Sequence, residues 1–141
     1  MSSLSPTSVV ERIKDLDLDP KQFVVICGGV LDALGLRRAN DIDLVASSGL
    51  FRALRLSGQY DLHHRRDEAF LYDSAGVEIF THWGTLDDEP NFFSLFEEGL
   101  SISGIRFANP RFVLDQKRLD NRAKDQVDVI LLEGFLLKCE S

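Results

Sequence analysis

Apolar residues along the chain fall into short runs separated by Gly, Pro and polar clusters, and each run has its own period. Phe23-Val24-Val25-Ile26 is continuous and short, which predicts a strand buried on both faces. Gly28-Gly29 breaks it, and residues 30–36 read as a helix of about two turns. Residues 42–46 predict a second strand. Residues 50–56 read as a helix stopped by Ser57-Gly58. Strands are expected over 59–64 and 69–73. The Ala75-Gly76 turn then sends 77–81 back antiparallel to the run before it. After a polar stretch, 84–91, come a short helix at 92–98 and one strand at 101–107. Asn109-Pro110 is an N-cap followed by Pro at the first helical position, predicting a long helix to about Lys124. Residues 125–138 continue helically, with Val127, Ile130, Leu131 and Phe135 near helical spacing. At the other end, Ser5-Pro6 opens an amphipathic helix over 5–16, with Val9, Val10 and Ile13 on one face. The alternating acids from Asp15 to Asp19 lack the Gly and terminal Glu of a calcium loop and read as a solvated linker.

Length and composition narrow the class. The 141 residues predict one domain, 1–141: the N-terminal helix 5–16, a core over about 22–108, and C-terminal helices over about 110–138. A hydrophobic content of 44% with ten Phe supports a real core and excludes a disordered chain. Sixteen Lys and Arg against 23 Asp and Glu give a net charge of −7, which disfavours broad phosphate-backbone binding. The cations nevertheless cluster at Arg37-Arg38, at Arg65-Arg66, and at Lys117, Arg118, Arg122 and Lys124, so basic patches on an acidic body are expected. Cys27 and Cys139 have neither disulfide-framework nor zinc spacing, and Cys27, following an apolar run, reads as a buried small hydrophobe. No signal-like start and no run of 18 apolar residues appear, so a cytoplasmic address and no membrane contact are expected.

Candidate chemistry centres on Asp41-Ile42-Asp43-Leu44. Residues two apart on a strand share a face, so Asp41 and Asp43 point one way while Ile42 and Leu44 point into a core. Their Cα atoms lie roughly 6–7 Å apart at strand rise, a separation from which carboxylates converge on divalent ions. Two-metal phosphoryl-transfer sites hold their ions about 3.5–4 Å apart. Carboxylate oxygens select Mg²⁺ or Mn²⁺ over zinc. A solvent-facing strand with a turn-capping Asp41 is the alternative reading. Gly28-Gly29, between an apolar strand and a helix, adds a turn without side chains where backbone N–H groups approach phosphates. It matches neither a Walker loop nor a Gly-x-Gly-x-x-Gly fingerprint.

Gly28-Gly29, an eleven-residue spacer and Asp41-Ile42-Asp43-Leu44 together resemble the signature of the DNA polymerase β-like nucleotidyltransferase superfamily. Gly35-Leu36-Arg37 in the spacer resembles that family's approach to its acids. Lys117, Arg122 and Lys124-Asp125-x-x-Asp128 resemble small stand-alone bacterial relatives, among them abortive-infection toxin and antibiotic-modifying nucleotidyltransferases. The resemblance spans about 23–132. It implies an α+β fold, a mixed sheet with helices mainly on one face. It also implies transfer of a nucleotidyl group from a nucleoside triphosphate, with Mg²⁺ or Mn²⁺ held by Asp41, Asp43 and a third acid on a neighbouring antiparallel strand. Glu78 is the best match for that acid, with Asp73 second. Gly28, Gly29, Arg37, Lys117 and Lys124 are the implied nucleotide-binding residues. The acceptor is open among small molecule, RNA and protein, and a homodimer or partner protein is possible. A nucleotide-binding module without turnover and a toxin-like component of a two-protein system remain alternatives. His82 and Trp83 are weaker candidates for an acceptor pocket, and His63-His64 face opposite ways and make a poor metal pair.

Overall fold

The computed structural model describes residues 8–65, 68–81 and 92–140, without the side chains of Arg65, Glu68 and Glu140. Seven strands form one mixed sheet in the order β3-β4-β5-β2-β1-β7-β6. Strand β1 (Phe23–Ile26) lies inside it and buries all four side chains, as its unbroken apolar run requires. It pairs antiparallel with β2 (Ile42–Ala46) and parallel with β7 (Ile105–Phe107). On the other side of β2 lies β5 (Val77–Phe80), then β4 (Glu68–Tyr72) and β3 (Asp61–Arg65). Val9 and Ile13 of α1 (Val9–Lys14), Val30 and Leu31 of α2 (Gly28–Ala33), Val113 and Leu114 of α5 (Pro110–Asp120), and Leu132 of α6 (Ala123–Glu140) complete the core. Helices α3 (Ser48–Ser57) and α4 (Phe92–Glu98) match the expected helices to within two residues at either end. The α+β class with a mixed sheet agrees with the sequence reading.

Four expectations change. Helix α2 starts at Gly28, not residue 30, so the glycine pair forms its first turn and the sharp reversal falls on Cys27 (φ 57°, ψ −133°). The expected strand 101–107 is a hairpin of β6 (Leu100–Ile102) and β7, because Ser103 (φ 52°) and Gly104 (φ 82°) take the left-handed pair that a two-residue turn needs. The long helix to Lys124 stops at Asp120: Asn121 adopts φ 45° and donates its N–H to Lys117 O, and α6 then starts afresh. Strand β5 runs parallel to β2, not antiparallel, because α3 carries the chain to the far edge and two hairpin reversals return it. At the N-terminus α1 is capped by the Ser8 side chain, which accepts from Glu11 N. The proposed opening at Ser5-Pro6 lies outside the described residues, as do Arg66, His82 and Trp83.

Two glycines make contrasting demands. A Cβ on Gly29 would sit 2.5 Å from Val25 Cγ1 in the core, whereas one on Gly134 in α6 would meet nothing within 4 Å. Gly29→Ala is therefore expected to lose about 1–3 kcal/mol through overpacking. Gly134→Ala is expected to gain roughly 0.5–1 kcal/mol from helix propensity. Urea unfolding of the two variants checks the difference in sign.

Candidate functional site

Strand register places the acids. Asp43 is the Cα partner of Ile26 on β1 and of Glu78 on β5. Directly paired residues on neighbouring strands share a face about 4.8 Å apart, so Asp43 and Glu78 extend side by side. Asp43 Oδ1 is buried and accepts no hydrogen bond among the described residues, although the residue has other interactions. Asp41 is not in the strand but one residue ahead of it, exposed. Its loop is pinned on both sides. Arg12 donates to Ala39 O (2.9 Å) and Asn40 O (3.2 Å), and Asp32 Oδ2 accepts from Ala39 N (2.8 Å). Ile42 N then donates to Gly76 O, so the β2–β5 ladder extends into the turn before β5. Asp41 Oδ1 leans over that turn, 3.0 Å from where a Cβ on Gly76 (φ 89°) would be. Asp73 serves the same turn: its Oδ1 accepts from Ala75 N and Val77 N. Of the two acids weighed for the third position, Glu78 stands beside Asp43, and Asp73 is held in turn chemistry.

The glycine pair sits at the other flank of Asp43. As the first turn of α2, Gly28 and Gly29 have N–H groups that no intrahelical carbonyl can satisfy. The left-handed backbone at Cys27 costs of order 1–3 kcal/mol in a residue with a Cβ. Cys27 is half-buried, and desolvation, and after it the Asp43 carboxylate, push its thiol above its ordinary range. Arg37 closes over Gly28, its Nη2 lying 3.2 Å from where a Cβ would be.

Arg37 does not face the acids with a free charge. Its Nε and Nη2 bind Asp128 in a fork, at 2.5 and 2.7 Å. Lys117 Nζ lies 2.9 Å from Asp128 Oδ2 and 3.4 Å from Asp125 Oδ1, and all three residues are buried. Arg122 in turn binds Asp125 through Nε (2.8 Å) and Nη2 (3.2 Å). The result is a chain of charges, Arg37–Asp128–Lys117–Asp125–Arg122, joining the loop after α2 to α5 and α6. Burial pushes both carboxyls up. Arg37 and Lys117 at Asp128, and Arg122 and Lys117 at Asp125, outweigh it and hold both below the usual carboxylate range. The bonds to Asp128 and Asp125 likewise raise Arg37 and Arg122. Lys124 stands apart, exposed in the first turn of α6 with no ion pair among the described residues. Arg118 pairs with Glu133 on the surface.

The structure thus gathers Asp43, Glu78, Gly28 and Arg37 around the end of β1 and the start of β2, with Asp41 leaning toward β5. It ties Lys117 into the ion chain and leaves Lys124 outside. The inward role of Asp125 and Asp128 was not part of the candidate site. Its signal was their i,i+3 spacing on the helix face that also carries Leu132. Among the described residues no group of three or more His, Cys, Asp or Glu is gathered tightly enough to cage a metal, and no helix is long and apolar enough to cross a membrane.

No protein-family model matches the chain, and no curated protein matches it in sequence. In shape it resembles the aminoglycoside nucleotidyltransferase ANT(2")-Ia, solved as a crystal structure in complex with adenylyl-2"-tobramycin. The TM-score is 0.55 at 14% identity, over 92% of this chain and 86% of that one. At that identity the likeness establishes a nucleotidyltransferase fold.

The ion chain sets an acid limit. Because Asp125 and Asp128 titrate below their unfolded values, their stabilisation is complete above about pH 4, near the unfolded carboxylate value. It is lost as pH falls through the folded values. Lys117→Met leaves two buried carboxylates short of a cation and is expected to lose about 3–5 kcal/mol at pH 7. Asp128→Asn should flatten the fall in stability below pH 4. Urea titrations at pH 7 and pH 3 check both.

Proposed function

We propose that the chain is a metal-dependent nucleotidyltransferase, moving a nucleotidyl group from a nucleoside triphosphate to an acceptor. The observation that carries this reading is the pairing of Asp43 with Glu78 across β2 and β5, with Asp41 one residue ahead of β2 and the first turn of α2 at the flank. The nucleotidyltransferase fold supports it.

The donor set fits a hard divalent ion. Asp41, Asp43 and Glu78 offer only oxygen, and Asp43 Oδ1 is buried without a hydrogen bond among the described residues. Mg²⁺ is characteristically held by one or two carboxylates plus substrate phosphates and water. Bound there, Mg²⁺ or Mn²⁺ would neutralise charge on the reacting phosphate. The remaining work belongs to the chain. Asp41 and Asp43 would hold that ion at the phosphate end of the nucleotide. The orphan N–H groups of Gly28 and Gly29 point to phosphate oxygens at a helix start. Glu78 accepts the proton of the attacking hydroxyl. Arg37 acts through Asp128, fixing the α2 turn, and brings partial positive charge to its rim. Lys124 is an exposed cation next in sequence to Asp125 of the ion chain and remains a candidate phosphate contact. Positioning and charge stabilisation supply most of the rate in this class of reaction.

Two neighbouring carboxylates repel each other without a cation, so Asp41→Asn with Asp43→Asn is expected to leave thermal stability equal or slightly raised. Wild type with Mg²⁺ and triphosphate should gain about 2.7 kcal/mol at a hundredfold excess over Kd, and the double variant none. Thermal unfolding of both proteins with each of the four nucleoside triphosphates, with and without Mg²⁺, makes the measurement. Unchanged nucleotide binding in a folded double variant would refute the proposal. Binding without metal-dependent pyrophosphate release would leave a nucleotide-binding module, the reading favoured by the commitment of Arg37 and Lys117 to Asp128.

A further inference from the structure

Helix α6 buries charge and exposes hydrocarbon. Asp125, Asp128 and Leu132 turn inward, while Val127, Ile130 and Leu137 stand in water. A helix that carries apolar residues all round is ordinarily covered on every side. The exposed residues are not scattered. Ala123, Val127, Ile130, Gly134 and Leu137 recur at alternating steps of four and three residues, and all five are exposed. They form one stripe along the helix that no polar side chain interrupts. Alternating steps of four and three are the 3.5-residue period of a coiled-coil seam. The ion chain holds the opposite face of α6 against the body. The rotation that seats Asp125 and Asp128 is therefore the rotation that turns the seam outward.

The two flanks of the seam differ in charge. Lys124, Leu131 and Lys138 border it on one side, Gln126 and Glu133 on the other. In a parallel helix pair each flank meets the opposite flank of its partner, five residues further along. Glu133 of one copy then faces Lys138 of a second copy, and Gln126 faces Leu131, each contact occurring twice about the two-fold axis. An antiparallel pair would set like flanks together and bring Lys124 toward Lys138. Beside Ile130, on the Gln126 flank, a groove of about 250 Å³ opens between α5 and α6, lined by Arg118, Asn121, Gln126, Val129 and Ile130 among others. It gives room to the side chain of the facing Leu131. We propose that α6 is a homodimerisation helix, and that its exposed seam is covered by α6 of a second copy, parallel and in register. This goes beyond the nucleotidyl-transfer reading and stands apart from it. The seam spans about two heptads, so the interface belongs at the small end of the range and the dimer forms at micromolar concentration. Both helices are already folded on their domains, so pairing carries no cost of helix formation.

Sedimentation equilibrium over about 1–100 µM protein, without nucleotide or metal, reads the monomer–dimer equilibrium. Wild type is expected to dimerise. Ile130→Glu places a charge in the seam of each copy and should weaken the dimer at least about 100-fold. Ile130 is 68% exposed in the single chain, so the variant keeps its fold, which circular dichroism checks. Glu133→Lys and Lys138→Glu each set two like-charged pairs across the seam, and each should weaken the dimer roughly three- to tenfold at low salt. The two reversals combined restore opposite charges and should recover the wild-type equilibrium. Wild type that stays monomeric throughout overturns the proposal and leaves the stripe to a different protein. A dimer that Ile130→Glu leaves intact overturns it as well. A double reversal no tighter than the single ones overturns the parallel pairing.

Discussion

Asp128 is the point on which this architecture turns. Its two oxygens accept from Arg37, and one of them also meets Lys117, so a single buried carboxylate ties the loop after α2 to both C-terminal helices. A hydrophobic pattern alone would not seat α6. Val127, Ile130 and Leu137 are 61%, 68% and 67% exposed, while Leu132 is fully buried, so apolar residues lie all round this helix. The face that turns inward is set by Asp125 and Asp128, whose charges cannot be buried without their cations. Such a cluster adds little net stability over an apolar substitute, yet any arrangement that separates its members leaves an unpaired buried charge. Its contribution is to the rotation and register of α6.

That constraint reaches the candidate site through Arg37. Held in a fork by Asp128, the guanidinium lies against Gly28, where a side chain would crowd it. The chain is squeezed between this contact and the core contact of Gly29 with Val25, and the reversal from β1 into α2 falls on Cys27. The strain there is sustained because strand, helix and ion cluster determine the turn from three sides. From the opposite side, Arg12 and Asp32 fix the loop that delivers Asp41 and Asp43. The loop that leads Asp41 and Asp43 into β2 is therefore held by Arg12 and Asp32, neither of which belongs to the acid row.

The parts legible in the sequence were those set by short-range pattern. The unbroken run of β1, the Ser57-Gly58 stop of α3 and the Asn109-Pro110 start of α5 each depend on local burial or capping, and each lies close to where it was expected. Misread elements turned on left-handed residues that are not glycine. Cys27, Ser103 and Asn121 each reverse the chain at a position where the residue type alone gives weak warning. The parallel pairing of β2 with β5 was hidden for another reason. Antiparallel neighbours follow from a hairpin, but the return of β5 to β2 depends on where α3 leaves the chain, a property of the whole sheet. The acids were visible through alternation and spacing. The fate of Arg37 and Lys117 was not, because a cation near phosphate-binding glycines reads the same whether its partner is a ligand or a carboxylate 91 residues away.

The charge arrangement also bears on how a triphosphate would be held. Arg37 lies against the glycine turn, and Arg37, Lys117 and Arg122 are each already matched to Asp125 or Asp128. Drawing any of them fully onto a phosphate would expose a buried carboxylate to the penalty that the cluster avoids. On the proposed function they would act at the site mainly as fixed partial charge, with Gly28 and Gly29 supplying the direct contacts. On that reading, neutralisation would fall to divalent ions at Asp41, Asp43 and Glu78 and to an exposed residue such as Lys124. On the proposed function, such a site would bind a nucleotide more weakly without metal than with it, because Arg37, Lys117 and Arg122 are engaged by Asp125 and Asp128.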